Sequence, residues 1–393
     1  MAKGSKRIAI FAAVTLLLAL AFVPSAQVAR AACSSAGTTG LTAAVVATHS
    51  GQDISGMTIN AIGCDIGVYV GPGINGVTIA HNTITGANDH GIFIQDSSGD
   101  TVQGNTVTGN GVSKHSTVAE DKAIELSGTS NSVVTENLVK GNMADGGIGI
   151  SDDGTIDPGA PNPGTGQPGN NNMVTSNTII NNAFGCGIVV ASYNAGEGVS
   201  GNTIQGNTVM STSLPPPPFV GGIVLADDTP GTSTNHEVST GNQIIGNTVS
   251  GSLIPGIIVH ANAPFDDVSN TLIKGNTLSN NGCCVGPNDA MKPVGINIVA
   301  EVPGLSTIVD TTVQGNSVSS DYYGSWYCNT TPYYTGNTFT TTVPLASCPT
   351  TSGTGTGVPE FPFGMALVLA VGFILLLAAR KKFSRLVPLQ APF

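Results

Sequence analysis

One apolar–polar phrase recurs nine times along this chain: apolar-x-x-Asn-x-apolar, centred on Asn82, Asn105, Asn137, Asn177, Asn207, Asn247, Asn276, Asn316 and Asn337. Three residues before each stands Ile79, Val102, Val134, Val174, Ile204, Ile244, Ile273, Val313 or Tyr334, and two residues after stands Ile84, Val107, Val139, Ile179, Val209, Val249, Leu278, Val318 or Phe339. The steps between asparagines are 23, 32, 40, 30, 40, 29, 40 and 21 residues, so a short unit repeats with excess of variable length. That pattern predicts a solenoid with loops let into it. A second phrase supplies another strand per rung: Gly67-Val-Tyr-Val, Gly91-Ile-Phe-Ile, Ala123-Ile-Glu-Leu, Gly147-Ile-Gly-Ile, Gly187-Ile-Val-Val, Gly222-Ile-Val-Leu, Gly256-Ile-Ile-Val and Gly295-Ile-Asn-Ile. Alternate side chains of a strand share a face, which turns Ile92 and Ile94 inward and Phe93 outward. Each rung is too small to bury its own core, so the rungs must stack as parallel strands about 4.8 Å apart, nine of them making a rod roughly 40 Å long.

The recurring Asn is expected at a sharp corner, because Asn tolerates positive φ and its amides can hydrogen-bond up and down a stacked column. A partial second ladder lies five residues on, at Asn110, Asn142, Asn182 and Asn281, with Asp321 in the same frame. These motifs resemble the right-handed parallel β-helix repeat family, of the carbohydrate-binding and sugar-hydrolase type, over about 290 residues. The resemblance implies an all-β, right-handed, single-stranded parallel β-helix of nine to ten rungs. It does not select a function, since that fold hosts lyases, hydrolases, epimerases, adhesins and metal-delivery proteins.

The two ends predict an exported and anchored protein. Residues 1–32 read as a secretory signal, with Lys3, Lys6 and Arg7 before the apolar run 8–23 and small residues at Ala29 and Ala31. Residues 33–53 are placed to cap the solenoid, which runs over 54–341 and is followed by a Thr/Gly-rich linker at 342–358. Pro359, Glu360 and Phe361 then precede an apolar run, 363–379, and the basic cluster Arg380, Lys381, Lys382. Such a run can just span a bilayer, with the basic cluster on the cytoplasmic side. The order of residues 359–382 resembles the archaeal PEF-CTERM sorting signal, which implies cleavage and lipid attachment by an archaeosortase-type enzyme. The short tail 383–393 departs from that pattern, and a plain transmembrane anchor is the alternative.

Composition sharpens the surface. Charged residues make up only 9% of the chain, and Val, Ile, Thr, Gly and Asn suit strands and their corners. Residues 33–358 hold five lysines, no arginine and 23 acids, a balance of 5 − 23 = −18. Such a surface excludes nucleic acid and polyuronates as partners and attracts cations. Seven cysteines in an exported chain predict disulfides, and Cys33 with Cys64 and Cys328 with Cys348 are placed to tie down the two ends.

Candidate chemistry lies where the repeat is broken. Insertions fall after the Gly-Ile-x-Ile strand (151–172, 226–240) and before it (111–122, 211–220, 280–294), so the loops gather on one or two flanks. Acids recur five residues after the leading Gly, at Asp96, Asp152 and Asp227, with Asp153, Tyr193, Asp228 and Glu301 one position later. Asp152 and Asp227 lie two rungs, or roughly 10 Å, apart, near the separation of an inverting glycosidase pair, about 6.5–9.5 Å. A neutral-polysaccharide hydrolase using Asp152 and Asp227 is therefore one reading. In the other, these residues with Asp96, Tyr193, Asp228 and His260 form a ligand-contacting strip or a column of solvated turn acids. The absence of arginine argues against uronate chemistry. The loop Ser151-Asp152-Asp153-Gly154-Thr155-Ile156-Asp157 offers the hard oxygens of Asp152, Asp153 and Asp157 to Ca2+ at the weak affinity of extracellular sites, ~10⁻⁴–10⁻³ M. Trp326 sits in an aromatic cluster at 322–334 that reads as a sugar-stacking platform or, preferably, as a C-terminal cap, and Asn329-Thr-Thr is an N-glycosylation frame. The leading expectation is a surface-anchored rod that binds or presents, contacting envelope glycans or surface proteins along one flank. A structural envelope protein is the third reading.

Overall fold

The structure, a computed structural model, describes residues 32–37, 39–111, 122–143, 146–152, 167–182, 186–194, 196–210, 221–228, 232–282, 294–319, 321 and 323–339. The chain divides into two units, residues 1–30 and 31–393. The secretory signal, the sorting signal with Pro359, Glu360 and Phe361, and both predicted hydrophobic helices lie outside the described residues. Among the described residues no helix is long and apolar enough to cross a membrane.

The second unit is a right-handed parallel β-helix. Its three sheets have eleven, ten and ten strands, and within each sheet successive rungs pair in sequence order. The first sheet carries the Gly-Ile-x-Ile strands, such as His90–Gln95 and Gly221–Asp227; the second carries the strand before each ladder Asn, such as Thr203–Gln205; the third carries the strand after it, such as Thr208–Met210. One inward residue from each short strand and two from each long one fill a continuous apolar core running from Ala47 to Val318. The leading glycines sit where there is no room for a side chain: a Cβ on Gly222 would collide with the backbone of Gly256 one rung on.

A rung precedes the first ladder asparagine. Strands Asp53–Ser55 and Thr58–Asn60 pair with the next rung in register, and Met57 stands where Asn is expected. Its N–H still donates to Asn82 Oδ1 (2.9 Å), so the ladder ends there on a backbone group.

The ladder is as drawn, but its backbone reason differs from expectation. Each Asn side chain accepts from the previous Asn and donates to the next: Asn177 Nδ2 donates to Asn207 Oδ1 (3.0 Å) and Asn207 Nδ2 to Asn247 Oδ1 (3.0 Å). The asparagines themselves do not take positive φ. The left-handed residue is the one before, usually Gly (Gly104, Gly206, Gly246) and otherwise His81, Glu136 or Ser176 at φ of 56–58°. The turn is thus relieved by Gly, and Asn is selected for hydrogen bonding alone. The ladder at Asn110, Asn142 and Asn182 forms as expected. A third, at Asp100, Ser132, Asn172, Asn202 and Asn242, links the corner between the first and second sheets.

The ends are covered. Ser34–Ser35 folds back antiparallel on Thr42–Val46, the edge strand of the first sheet, and a disulfide joins Cys33 to Cys64. A short antiparallel strand of this kind blunts an exposed edge. At the other end Tyr327, Tyr334 and Phe339 pack onto the last rung of the core, with ring centroids 5.8 and 6.3 Å apart. Cys328 is disulfide-bonded, and Cys348 lies outside the described residues.

Candidate functional site

The acid column is real, and its parity seals it. In the first sheet Ser192 pairs with Asp227, Asp227 with Ala261, and Ala261 with Ala300. These residues continue the inward-facing set of Ile223 and Leu225, and Ala261 and Ala300 belong to the core. Asp152 and Asp227 therefore point into the corner between the first and second sheets, and both are fully buried. Ser192 Oγ donates to Asp152 Oδ2 (2.5 Å) and the Tyr193 N–H to Asp152 Oδ1 (2.7 Å), so the carboxylate closes a turn. Ser239 Oγ donates to Asp227 Oδ1, while Asp227 Oδ2 has no hydrogen-bond partner among the described residues. Neither acid lines an open groove. Asp153 and Asp157, the other oxygens of the predicted calcium loop, lie outside the described residues.

Around Asp227 further acids converge that the repeat did not reveal. The Asp228 N–H donates to Glu237 Oε2 (2.8 Å), and Asn262 Nδ2 donates to Asp228 Oδ1. The Asn262 N–H donates to the Asp227 carbonyl (3.0 Å), and the Ala263 N–H to Asp266 Oδ2 (2.7 Å). Glu237 and Asp266 are fully buried. Burial pushes Asp227 well above the usual carboxylate range, and the nearby charges of Asp266, Asp152 and Asp228 push it further. Burial likewise raises Asp266 to about 7. His260, on the outward face of the first sheet, sets Nε2 2.9 Å from Glu301 Oε1. Asp96 lies several rungs away with φ +47° and its Oδ1 unpartnered, and burial raises its pKa. Asp227, Asp228 and Asp266 thus share one corner with His260 nearby, whereas Asp96 and Trp326 do not join it.

The outward face of the first sheet is a second feature, largely apolar with two polar breaks at Glu125 and Asn297. Its central column runs Tyr69, Phe93, Glu125, Gly149, Val189, Val224, Ile258, Asn297, Trp326. Phe93 stacks on Tyr69 and His90 (centroids 5.8 and 4.8 Å). Ser151 Oγ donates to Glu125 Oε1 (3.0 Å), and the Glu125 carboxylate lies over Gly149, where a Cβ would collide with it. Asn297 is buried with neither side-chain atom hydrogen-bonded among the described residues. Trp326 is buried against Val294, Val299 and Cys328. The signal for this column was the x of Gly-Ile-x-Ile. At Asn329, the glycosylation candidate, the residue is exposed and Nδ2 donates to the Ala300 carbonyl (2.8 Å).

Residues 45–157 match a family model described as periplasmic copper-binding protein, NosD. No curated protein matches the chain. Among solved structures, the catalytic domain of a GH87 α-1,3-glucanase is 15% identical, over 74% of this chain and 56% of that one, with a TM-score of 0.43. The Yersinia enterocolitica family 28 exopolygalacturonase is 12% identical over 71% and 46%, with a TM-score of 0.46. The surface adhesin PfbA of Streptococcus pneumoniae is 15% identical over 69% and 62%, with a TM-score of 0.41. The chain thus spans about half the length of the first two.

Copper is held by imidazole and sulfur donors. In the matched span His49 is exposed, His81 sits in a left-handed turn and His90 is stacked against Phe93. No trio of His, Cys, Asp or Glu among the described residues is arranged to hold a metal, and His115, also in the matched span, lies outside them.

Proposed function

We propose that this chain is an exported β-helix protein of the cell envelope that binds or presents, contacting neutral glycans along the outer face of its third sheet. The observation that carries this reading is one column of that face: Thr58, Thr83, Thr106, Leu138, Thr178, Thr208, Thr248, Thr277, Ser317, Thr338, paired rung to rung. Beside it run Asn60, Thr85, Thr108, Lys140, Ile180, Met210, Ser250, Ser279 and Ser319, with Lys140 the one charge in the two columns. Hydroxyl and methyl groups thus repeat about every 4.8 Å on short, stiff side chains. An extended neutral polysaccharide presents hydroxyls and apolar ring faces at a comparable repeat.

The hydrolase alternative draws no support from Asp152 and Asp227, which are sealed and bonded within the corner. The predicted signal at 1–32 and the periplasmic description of the matching family support export. Anchoring through 359–382, by sorting or by an intact helix, completes the proposal.

A glycan array probed with the full-length chain in detergent is the test. Binding is expected on neutral polysaccharides, and Thr208→Lys with Thr248→Lys should weaken it at least tenfold at an unchanged melting temperature. Undiminished binding by that double variant would remove the third sheet as the contact surface. Release of reducing ends would return the hydrolase reading.

A further inference from the structure

The corner around Asp227 holds buried oxygens that the protein itself does not satisfy. Asp227 Oδ2, Asp266 Oδ1 and Asn262 Oδ1 are each shielded from solvent and, among the described residues, each without a hydrogen-bond donor. Asn262 and Asp266 belong to one turn, and Asp227 ends the strand of the rung before it. Asp227 pairs in register with Ala261, the Asn262 N–H donates to the Asp227 carbonyl, and residues 263–266 fold so that the Ala263 N–H caps the other oxygen of Asp266. Asn262 has its Nδ2 spent on Asp228, which leaves its oxygen as the free end of the amide.

Burying carboxylate oxygens without a donor or counter-charge costs several kcal/mol per ion. The charged neighbours acting on Asp227 are acids (Asp266, Asp152, Asp228), and Glu237 is buried beside Asp228. Of the nearby imidazoles among the described residues, His260 faces Glu301 on the outward side of the sheet, and His236, next to Glu237, sets its Nδ1 against the Thr232 carbonyl. Two kinds of species can neutralise such a corner: protons or a cation. Two carboxylate oxygens and an amide oxygen are a hard donor set of the kind that calcium takes. The third oxygen is an amide, so the set is not a trio of acids.

We propose that Asp227, Asp266 and Asn262 bind a divalent cation of the calcium class at the corner between the first and second sheets. This site is independent of the glycan reading and draws its ligands from other residues than the calcium loop expected at Asp152, Asp153 and Asp157. The cation replaces protons on the two carboxyls and ties residues 262–266 to the end of strand Gly221–Asp227.

Calorimetry and thermal melting of the full-length chain, chelator-treated and then titrated with CaCl2 at pH 7.5, decide it. One set of sites with Kd ~10⁻⁴–10⁻³ M and a raised melting temperature is expected. Asp227→Asn and Asn262→Leu should each weaken that binding at least tenfold, while Asp153→Ala leaves it unchanged. Should the Asp227 variant fail to fold, the wild type remains informative, because carboxylate ligands exchange a cation for protons and the affinity must fall on acidification. Absence of any calcium effect on the wild type, loss of it in Asp153→Ala alone, or an affinity insensitive to acidification would each overturn the site.

Discussion

At the residue scale the ladder asparagines are legible because a buried amide with both ends bonded leaves few alternatives. Asn207 Oδ1 accepts from the Asn177 N–H (2.9 Å) and Asn177 Nδ2, while its own Nδ2 reaches the Val174 carbonyl (2.8 Å) and Asn247 Oδ1. Asn207→Leu strands a buried N–H on one side and a carbonyl on the other, each costing about 1–3 kcal/mol, and interrupts a chain of mutually polarised bonds. A loss of about 3–5 kcal/mol is expected, read as a lowered denaturation midpoint with glycan and calcium binding of the folded fraction unchanged. What could not be read was the division of labour between neighbours. Asn and the residue before it both favour corners, and single-sequence reasoning gave the left-handed φ to the Asn. The structure assigns it to Gly104, Gly206 and Gly246, or to Glu136 and Ser176 where Gly is missing. Backbone strain and hydrogen bonding select overlapping residue types, so composition alone does not separate them.

At the element scale, parity decides more than residue identity. Placing Ile92 and Ile94 inward, and their counterparts on later rungs likewise, settles Asp152 and Asp227 as inward continuations of their strands, whereas Asp96 turns out of that frame at a left-handed φ. Alanines at 261 and 300 in that frame were the available sign that the column is core. The converging turn at 262–266 was not legible, because it depends on an insertion after the strand folding back on it. The leading glycine of each first-sheet strand has an equally local cause. In Gly222→Ala the added methyl meets backbone of Gly256, which cannot rotate away, so the rungs must part. Overpacking of that kind costs typically about 1–3 kcal/mol, here at the upper end. Circular dichroism melts should show the drop, and a neutral result would mean that the first sheet tolerates a local shift in rung spacing.

At the scale of the whole molecule, the balance of −18 over residues 33–358 and the buried acids act in the same direction. Asp266 is held at about 7, Asp321 at about 6, and Asp227, Asp100 and Asp96 are raised, in every case chiefly by burial. An unfolded Asp titrates near 3.9. Between about pH 4 and 7 the folded chain therefore holds protons that the unfolded chain has released, and stability falls as pH rises through that window. Mutual repulsion of the surface acids adds to the fall. In chelator the melting temperature should be higher at pH 5 than at pH 8, the reverse of a protein whose carboxylates are stabilised by basic partners. Asp266→Asn, which removes one titrating group and keeps its shape, should flatten the profile near pH 7 and raise the melting temperature at pH 8. Calcium at pH 8 should recover part of the loss in the wild type and little of it in that variant. A profile rising from pH 5 to 8 in chelator would mean that the buried acids already have their counter-charge within the protein, and the calcium site would lose its physical motive.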